Sequence, residues 1–238
     1  MTIPKPPHEA RRLEALRRYQ ILDTAPEQSF DDFADLAALI CGTPIALMSL
    51  IDDQRQWFKA RVGLDVPETP REHAFCSYTI MGDETLVVED ATQDERFASN
   101  PLVTGDPHIR FYAGSPLIDN EGNALGSLCV IDRKARSLAP EQEIGMRAIS
   151  RQIINAIEVR KVAAELAAAL EELKTARSLL PICSHCKNVR HDDGYWATVE
   201  DYLSTHKEMD FSHGICPACM EKLYPATFAR LQKQQSKN

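Results

Sequence analysis

Seven cysteines are the residues of this 238-residue chain best suited to chemistry. Four stand as two pairs, Cys183-x2-Cys186 and Cys216-x2-Cys219, with 29 residues between them. A Cys-x2-Cys turn can bite one metal ion, and two such turns supply the four tetrahedral thiolates of a zinc site. A shell closed by four protein ligands has no open position for water, which predicts a structural metal rather than a catalytic one. The interval is longer than the roughly 15–20 residues of a common ribbon, so it must hold elements of its own. Val189-Arg190 and Tyr195-Trp196 suggest a hairpin turning at Asp192-Asp193-Gly194. Thr198–His206 suggests a short helix and Met220–Leu223 a closing one, giving a treble-clef-like unit over 181–225. So short a unit has a small apolar set and needs a crosslink of this kind to fold. His185 or His213 could replace one thiolate, and a pair of reversible dithiols is the competing reading. Lys187 and Met220 follow the pairs where c-type haem attachment would need His.

The remaining cysteines are Cys41, Cys76 and Cys129. Cys41 ends an apolar helical pattern and Cys129 lies in an apolar strand pattern, so both are expected as buried, inert thiols. Cys76 could be reactive, but it has no neighbouring cysteine in sequence to resolve it.

The elements that would position these groups follow from periodicity. Residues 8–22 read as a basic amphipathic helix, and 27–41 as a second, with Phe30, Phe33, Leu36, Ala37 and Ile40 at helical spacing. Gly42 and Pro44 stop it. Ile45–Ile51, Gln56–Val62, Thr85–Glu89, Ile109–Ile118 and Ala124–Ile131 read as strands, the last two flanking the turn sequence Asp119-Asn120-Glu121-Gly122-Asn123. Residues 63–73 and 90–108 read as loop, and Ala74–Met81 as a short helix. From Leu138 to Leu180 the period is helical, with Ser137 and Pro140 at its start. Ile144, Ile149, Ile153 and Ile157 are expected to pack on the sheet. Ala156, Val159, Ala163, Leu166, Leu170, Leu173, Arg177 and Leu180 form a heptad-like stripe suited to a parallel homodimer seam.

The expected architecture is α+β: an antiparallel sheet with helices, a long connecting helix and a small zinc unit. The domain plan is an N-terminal helix at 1–22, a large α+β domain at 23–160, the long helix at 138–180, the four-cysteine unit at 181–225 and a polar tail at 226–238.

Net charge is −8, while residues 181–238 hold seven basic and seven acidic side chains. No segment has the basic excess that a phosphate backbone demands, so nucleic acid is not favoured as a partner. The N-terminus lacks an apolar run and no stretch of about 18 apolar residues occurs, which predicts a cytoplasmic chain without a membrane span. Thiols are kept reduced there.

The words Leu22-Asp23-Thr24-Ala25-Pro26, Phe30-Asp31, Phe75-Cys76 and Val88-Glu89-Asp90-Ala91 resemble those of a GAF domain of bacterial signalling proteins. So do Asp94-Glu95-Arg96-Phe97, Phe111-Tyr112-Ala113-Gly114-Ser115-Pro116-Leu117 and Gly126-Ser127-Leu128-Cys129-Val130-Ile131-Asp132. The resemblance implies a domain that binds a small molecule or another such domain. Its pocket would lie between the sheet and the covering loops, with Trp57, Phe75, Cys76, Tyr78, Arg96, Phe111 and Tyr112 as candidate ligand contacts. Asp94-Glu95 lacks the Asn-Lys partner of cyclic-nucleotide-binding members, and neither Cys76 nor Cys129 is followed by the His that commonly marks bilin attachment. Leu180-Pro181-Ile182-Cys183, Asp193-Gly194-Tyr195-Trp196 and Phe211-Ser212-His213-Gly214-Ile215-Cys216-Pro217 resemble a C-terminal cysteine module of bacterial PAS, GAF and receiver-domain proteins.

The function expected is a sensor of a small molecule or redox state. It would relay through the helix to the zinc module, which meets a protein partner. Kinase, cyclase, phosphatase and receiver segments are not recognised, which predicts no enzymatic activity. The alternatives are a thiol-based enzyme of the methionine sulfoxide reductase kind and a zinc-dependent transcriptional regulator.

Overall fold

The computed structural model describes residues 3–177, 181–191, 194–206 and 214–235. The chain divides into two compact units, Met1–Ala168 and Ala169–Asn238.

In the first unit, α1 (Glu9–Arg18) buries Leu13, Ala15 and Leu16, and α2 (Gln28–Cys41) buries Phe30, Ala34, Ala37 and Cys41. The spacing of three and four along α2 puts its four buried residues on one stripe. Gly42, at φ 60°, ends α2 in the left-handed conformation, and the N–H groups of Gly42 and Thr43 return to the carbonyls of Leu39 and Ala38. The strands β1 (Ile45–Ile51), β2 (Arg55–Val62), β3 (Glu68–Pro70), β4 (Leu86–Val88), β5 (Phe111–Ile118) and β6 (Ala124–Asp132) form one antiparallel sheet in the order β3-β2-β1-β6-β5-β4. The single-turn helices α3 (Cys76–Thr79) and α4 (Pro101–Thr104) lie in the connections. Asn100 caps α4 by accepting from the Leu102 N–H at 2.9 Å, and Pro101 fits its first position. In the turn between β5 and β6, the Asp119 carboxylate accepts from the N–H groups of Glu121 and Asn123.

Both faces of the sheet are covered, and strand alternation sorts the side chains between them. Ala46, Met48 and Leu50 of β1 face α1, α2 and the long helix α5 (Pro140–Arg177), in one core with Leu16, Phe30, Trp57 and Phe111. Ile45, Leu47 and Ile51 face the other way, toward the loops, with Phe58, Phe75, Phe97, Tyr112 and Cys129. Each large side chain so buried contributes about 1.5–3 kcal/mol. Lys59, whose side chain is fully buried, is held by Thr24, the Ala25 carbonyl and Glu27, each within 2.8 Å. A buried ammonium persists because all three of its donors are used.

Several expectations need correction. Residues 63–73 were expected as loop, but they contain β3, whose Thr69 sits opposite Gln56. A three-residue edge strand is too short to show alternation. Within 90–108 the chain forms α4, equally short. In α5 the sheet-facing set is Met146, Ile149, Ile153 and Ile157, whereas Ile144 is 67% exposed. Five residues before Ile149 is well off its face of a 3.6-residue helix, so Met146 takes the place given to Ile144. The helix expected over 8–22 ends at Arg18, and Leu16 within it, like Tyr19 and Ile21 beyond it, belongs to the main core.

In the second unit, β7 (Val189–Arg190) pairs with β8 (Trp196–Ala197) as a hairpin, whose turn residues Asp192 and Asp193 lie outside the described residues. It is followed by α6 (Val199–His206), α7 (Pro217–Leu223) and α8 (Pro225–Gln235). The expected polar tail is therefore helical as far as Gln235, with Pro225 at the first position, where its missing N–H is no loss. His213 and Leu180 fall outside the described residues, as does the side chain of Arg177. No helix among the described residues is long and apolar enough to cross a membrane.

Candidate functional site

The loop-covered face of the sheet carries a cavity of about 210 Å³. Its floor is the middle of the sheet: Ile45 and Leu47 of β1, Phe58 of β2, Tyr112 of β5, and Cys129 and Ile131 of β6. Its cover comes from Leu64 and Val66, from Phe75 and Cys76, and from Leu102 and Pro107. The walls are mainly apolar, with Gln56, Glu68, Thr69 and Asp106 as the polar contributors. Glu68 is ion-paired with Arg55 at 2.6 Å. Gln56 is 5% exposed, and its Oε1 has no hydrogen-bond partner among the described residues.

Register places the chemistry on the floor. Cys129 pairs with Leu47 on one side and Gly114 on the other, at the centre of six strands. Cys76 comes down on it from the cover, and the two sulfurs are 3.7 Å apart. The Tyr112 hydroxyl donates to Cys76 Sγ at 3.3 Å and lies 2.6 Å from Thr79 Oγ1. A Cβ on Gly114 would fall 2.2 Å from that phenol oxygen and 2.7 Å from Thr79 Oγ1, so only glycine leaves room for the pair. Ser49 and Ser127, both fully buried, sit opposite each other on β1 and β6 beside Cys76, outside the cavity lining, with their hydroxyls 3.4 Å apart.

These contacts set the charge balance. Burial opposes ionisation of Cys76, but hydrogen bonds from Cys129, Ser127, Ser49 and Tyr112 outweigh it and draw the thiol below its ordinary range. Cys129 moves the other way, pushed up by its hydrogen bond to Cys76, by burial and by the neighbouring charge. Tyr112 is pushed up by burial and by the two sulfurs. Cys41, remote from this cluster, is pushed up to about 11 by burial.

Of the seven candidate ligand contacts, Phe75, Cys76 and Tyr112 line the cavity. The other four do not. Trp57 and Phe111 precede floor residues by one position, so strand alternation turns them into the helix-covered core. Tyr78 packs edge-on against Phe97 at 4.9 Å. Arg96 lies toward solvent, paired with Asp94 at 2.6 Å and over the Phe97 ring at 5.1 Å. The sequence reading missed Gln56, one place before Trp57, and missed the approach of Cys129 to Cys76.

The four cysteines of the second unit are free thiols. Cys183 hydrogen-bonds within its own turn to Cys186, and Cys216 to Cys219. Among the described residues no three His, Cys, Asp or Glu side chains converge on a metal-sized point.

A family model for the GAF domain matches residues 25–157, more than half of the chain. A cyclic di-GMP phosphodiesterase of Pseudomonas aeruginosa is 46% identical over 145 residues, which are 61% of this chain and 25% of that protein. The chain thus spans about a quarter of the curated relative it matches. Among solved structures, the GAF domain of an Acinetobacter phosphoenolpyruvate-protein phosphotransferase is 21% identical and covers 62% of this chain and 93% of that one, at a TM-score of 0.48. The type II free methionine-R-sulfoxide reductase of Thermoplasma acidophilum is 12% identical, covering 55% and 90%, at a TM-score of 0.46. The expectation of a chain without enzymatic activity is overturned by the Pseudomonas relative, which bears the name of an enzyme. The matched residues 25–157 take in the sheet, the cavity and the start of the long helix, and the chain belongs to the GAF domain family.

Proposed function

We propose that the first unit senses a small, largely apolar molecule in the cavity and that this input acts on cyclic di-GMP signalling. The observation that carries the reading is Gln56: a buried amide oxygen with no partner among the described residues, on the wall of an apolar cavity. Burying an unmet acceptor costs about 1–3 kcal/mol, which a ligand N–H or O–H would recover. Apolar walls with few polar groups are the usual form of a small-molecule site. The named activity of the Pseudomonas relative supports cyclic di-GMP turnover as the process addressed.

The long helix is the transmitter in this proposal. Val159, Leu166, Leu170 and Leu173 are each more than half exposed and recur at heptad-like spacing. Such a stripe supports a parallel homodimer. The two Cys-x2-Cys turns support a zinc-bearing second unit that meets a protein partner, a proposal that rests on their spacing and thiolate chemistry.

The sensor reading is tested with Leu102→Trp, which fills the cavity from its cover. Native mass spectrometry of the chain from its own cells is expected to show a bound small molecule that the variant loses. Cellular cyclic di-GMP is expected to change on expression of the wild type and not of the variant. Ligand-free protein, together with equal cyclic di-GMP in both strains, would overturn the reading. Light scattering tests the homodimer, and zinc assay with and without Cys183→Ser tests the metal.

A further inference from the structure

We propose that Cys76 and Cys129 are a reversible redox couple on the cavity floor, closed to a disulfide by a small hydroperoxide that enters the cavity. The proposal deepens the sensor reading and rests on it for the meaning of the signal.

Three observations carry it. The sulfurs lie 3.7 Å apart, although the cysteines are 53 positions apart in sequence. Both cysteines line the cavity while being at most 1% exposed, so the cavity is the route by which a reagent reaches them. A space of about 210 Å³ admits hydrogen peroxide or a short alkyl hydroperoxide. Finally, the surroundings are unusually polar for the centre of a sheet. The hydroxyls of Ser49, Ser127, Thr79 and Tyr112 are all buried there, and Gly114 leaves space for two of them. Hydroxyls sequestered around a sulfur stabilise its thiolate, which is the nucleophilic form.

The chemistry closes without a further reagent. Cys76 sulfur attacks the terminal oxygen of the hydroperoxide. The S–O bond forms as the O–O bond breaks, and the departing alkoxide takes the thiol proton and leaves as alcohol or water. Cys129 sulfur then displaces the hydroxyl from the Cys76 sulfenic acid, which leaves as water with the Cys129 proton. Two thiols have lost two electrons and the peroxide bond has gained them. A dithiol reductant reverses the step by exchange. Cys129 is held between paired strands on both sides, so the movement on closure falls on α3 and on the Phe75–Phe97 stack, whose rings are 4.0 Å apart.

The test maps crosslinked peptides by mass spectrometry after the intact chain meets a few equivalents of hydrogen peroxide and its free thiols are alkylated. A Cys76–Cys129 crosslink is expected, reversed by dithiothreitol. In Cys129→Ser, Cys76 is expected to label with a sulfenic acid reagent. Leu102→Trp is expected to slow the crosslink at least tenfold with fold and thermal unfolding retained. Oxidation confined to Cys183, Cys186, Cys216 and Cys219 in the folded wild type would overturn the couple without needing any variant. That outcome with ligand binding intact would leave the sensor reading standing, whereas a crosslink in a chain that binds no small molecule would sink the ligand and keep the couple.

Discussion

One sheet presents two faces to two kinds of cover. On the helix side, Leu16 of α1, Phe30 of α2 and Ile153 of α5 meet Met48, Leu50 and Phe111 in one aliphatic and aromatic core. On the loop side, single-turn helices and irregular chain cover Leu47, Tyr112 and Cys129 and leave about 210 Å³ open. Regular helices bring evenly spaced ridges that can fill a sheet's surface, and short segments do not. Cys76, Cys129 and the hydroxyls of Ser49, Ser127, Thr79 and Tyr112 accordingly collect where packing is looser, while Cys41 stays in the core under the helices.

Core substitutions test that division most strongly. Phe30→Ala is expected to cost about 3–5 kcal/mol in urea unfolding. Phe58→Ala, on the cavity floor, is expected to cost clearly less, because that side chain already borders open space. Equal losses would break the comparison. Gly114→Ala should come next, at about 1–3 kcal/mol, since the new methyl must displace the Tyr112 hydroxyl or Thr79. It should also change the thiol reactivity of Cys76, which a purely structural glycine would leave alone.

A smaller effect is expected from pH at the N-terminal edge of the unit. Burial opposes ionisation of Glu9, but hydrogen bonds from Arg12 and Arg71 outweigh it and hold its carboxyl down at about 2, against an ordinary 4.5. A lowered carboxyl pKa stabilises the fold above the ordinary value, and that contribution is lost as pH falls from 4.5 toward 2. Wild type should therefore lose stability faster than Glu9→Gln over that interval in acid unfolding. Parallel curves would remove Glu9 from the account. Leu166→Glu should have the smallest effect on unfolding, within about 0.5 kcal/mol, because the side chain is 59% exposed. The same change should abolish the proposed dimer in light scattering.

Sequence patterns reached the helix face more readily than the loop face, for physical reasons. Phe30 and Ala37 in α2, and Ile149, Ile153 and Ile157 in α5, follow a local period, and Gly42 marks a local stop. Asp119-Asn120-Glu121-Gly122-Asn123 likewise announces its own turn. The cavity floor obeys no local rule. Whether Trp57 or Phe58 faces the loops depends on strand phase, and β2 is shifted by an irregularity at Met48/Ser49 of its partner. Cys129 could be read as a buried thiol from its neighbours. Its contact with Cys76 comes from the pairing of β6 between β1 and β5, and from a cover whose short helices have no period to detect.

Along α5 the two apolar stripes are out of phase. Ile157 is buried against the sheet, while Val159 is 69% exposed two positions later, about 200° around the axis. Angular offset thereby becomes a property that can be dialled by sequence length. One residue added between Ile157 and Val159 would turn everything beyond it by about 100°, while seven would bring it back nearly to where it began. A ladder of one to seven inserted alanines should make any output carried through the helix rise and fall with the helical repeat. A signal that travelled by diffusion, indifferent to torsion, would give a flat profile.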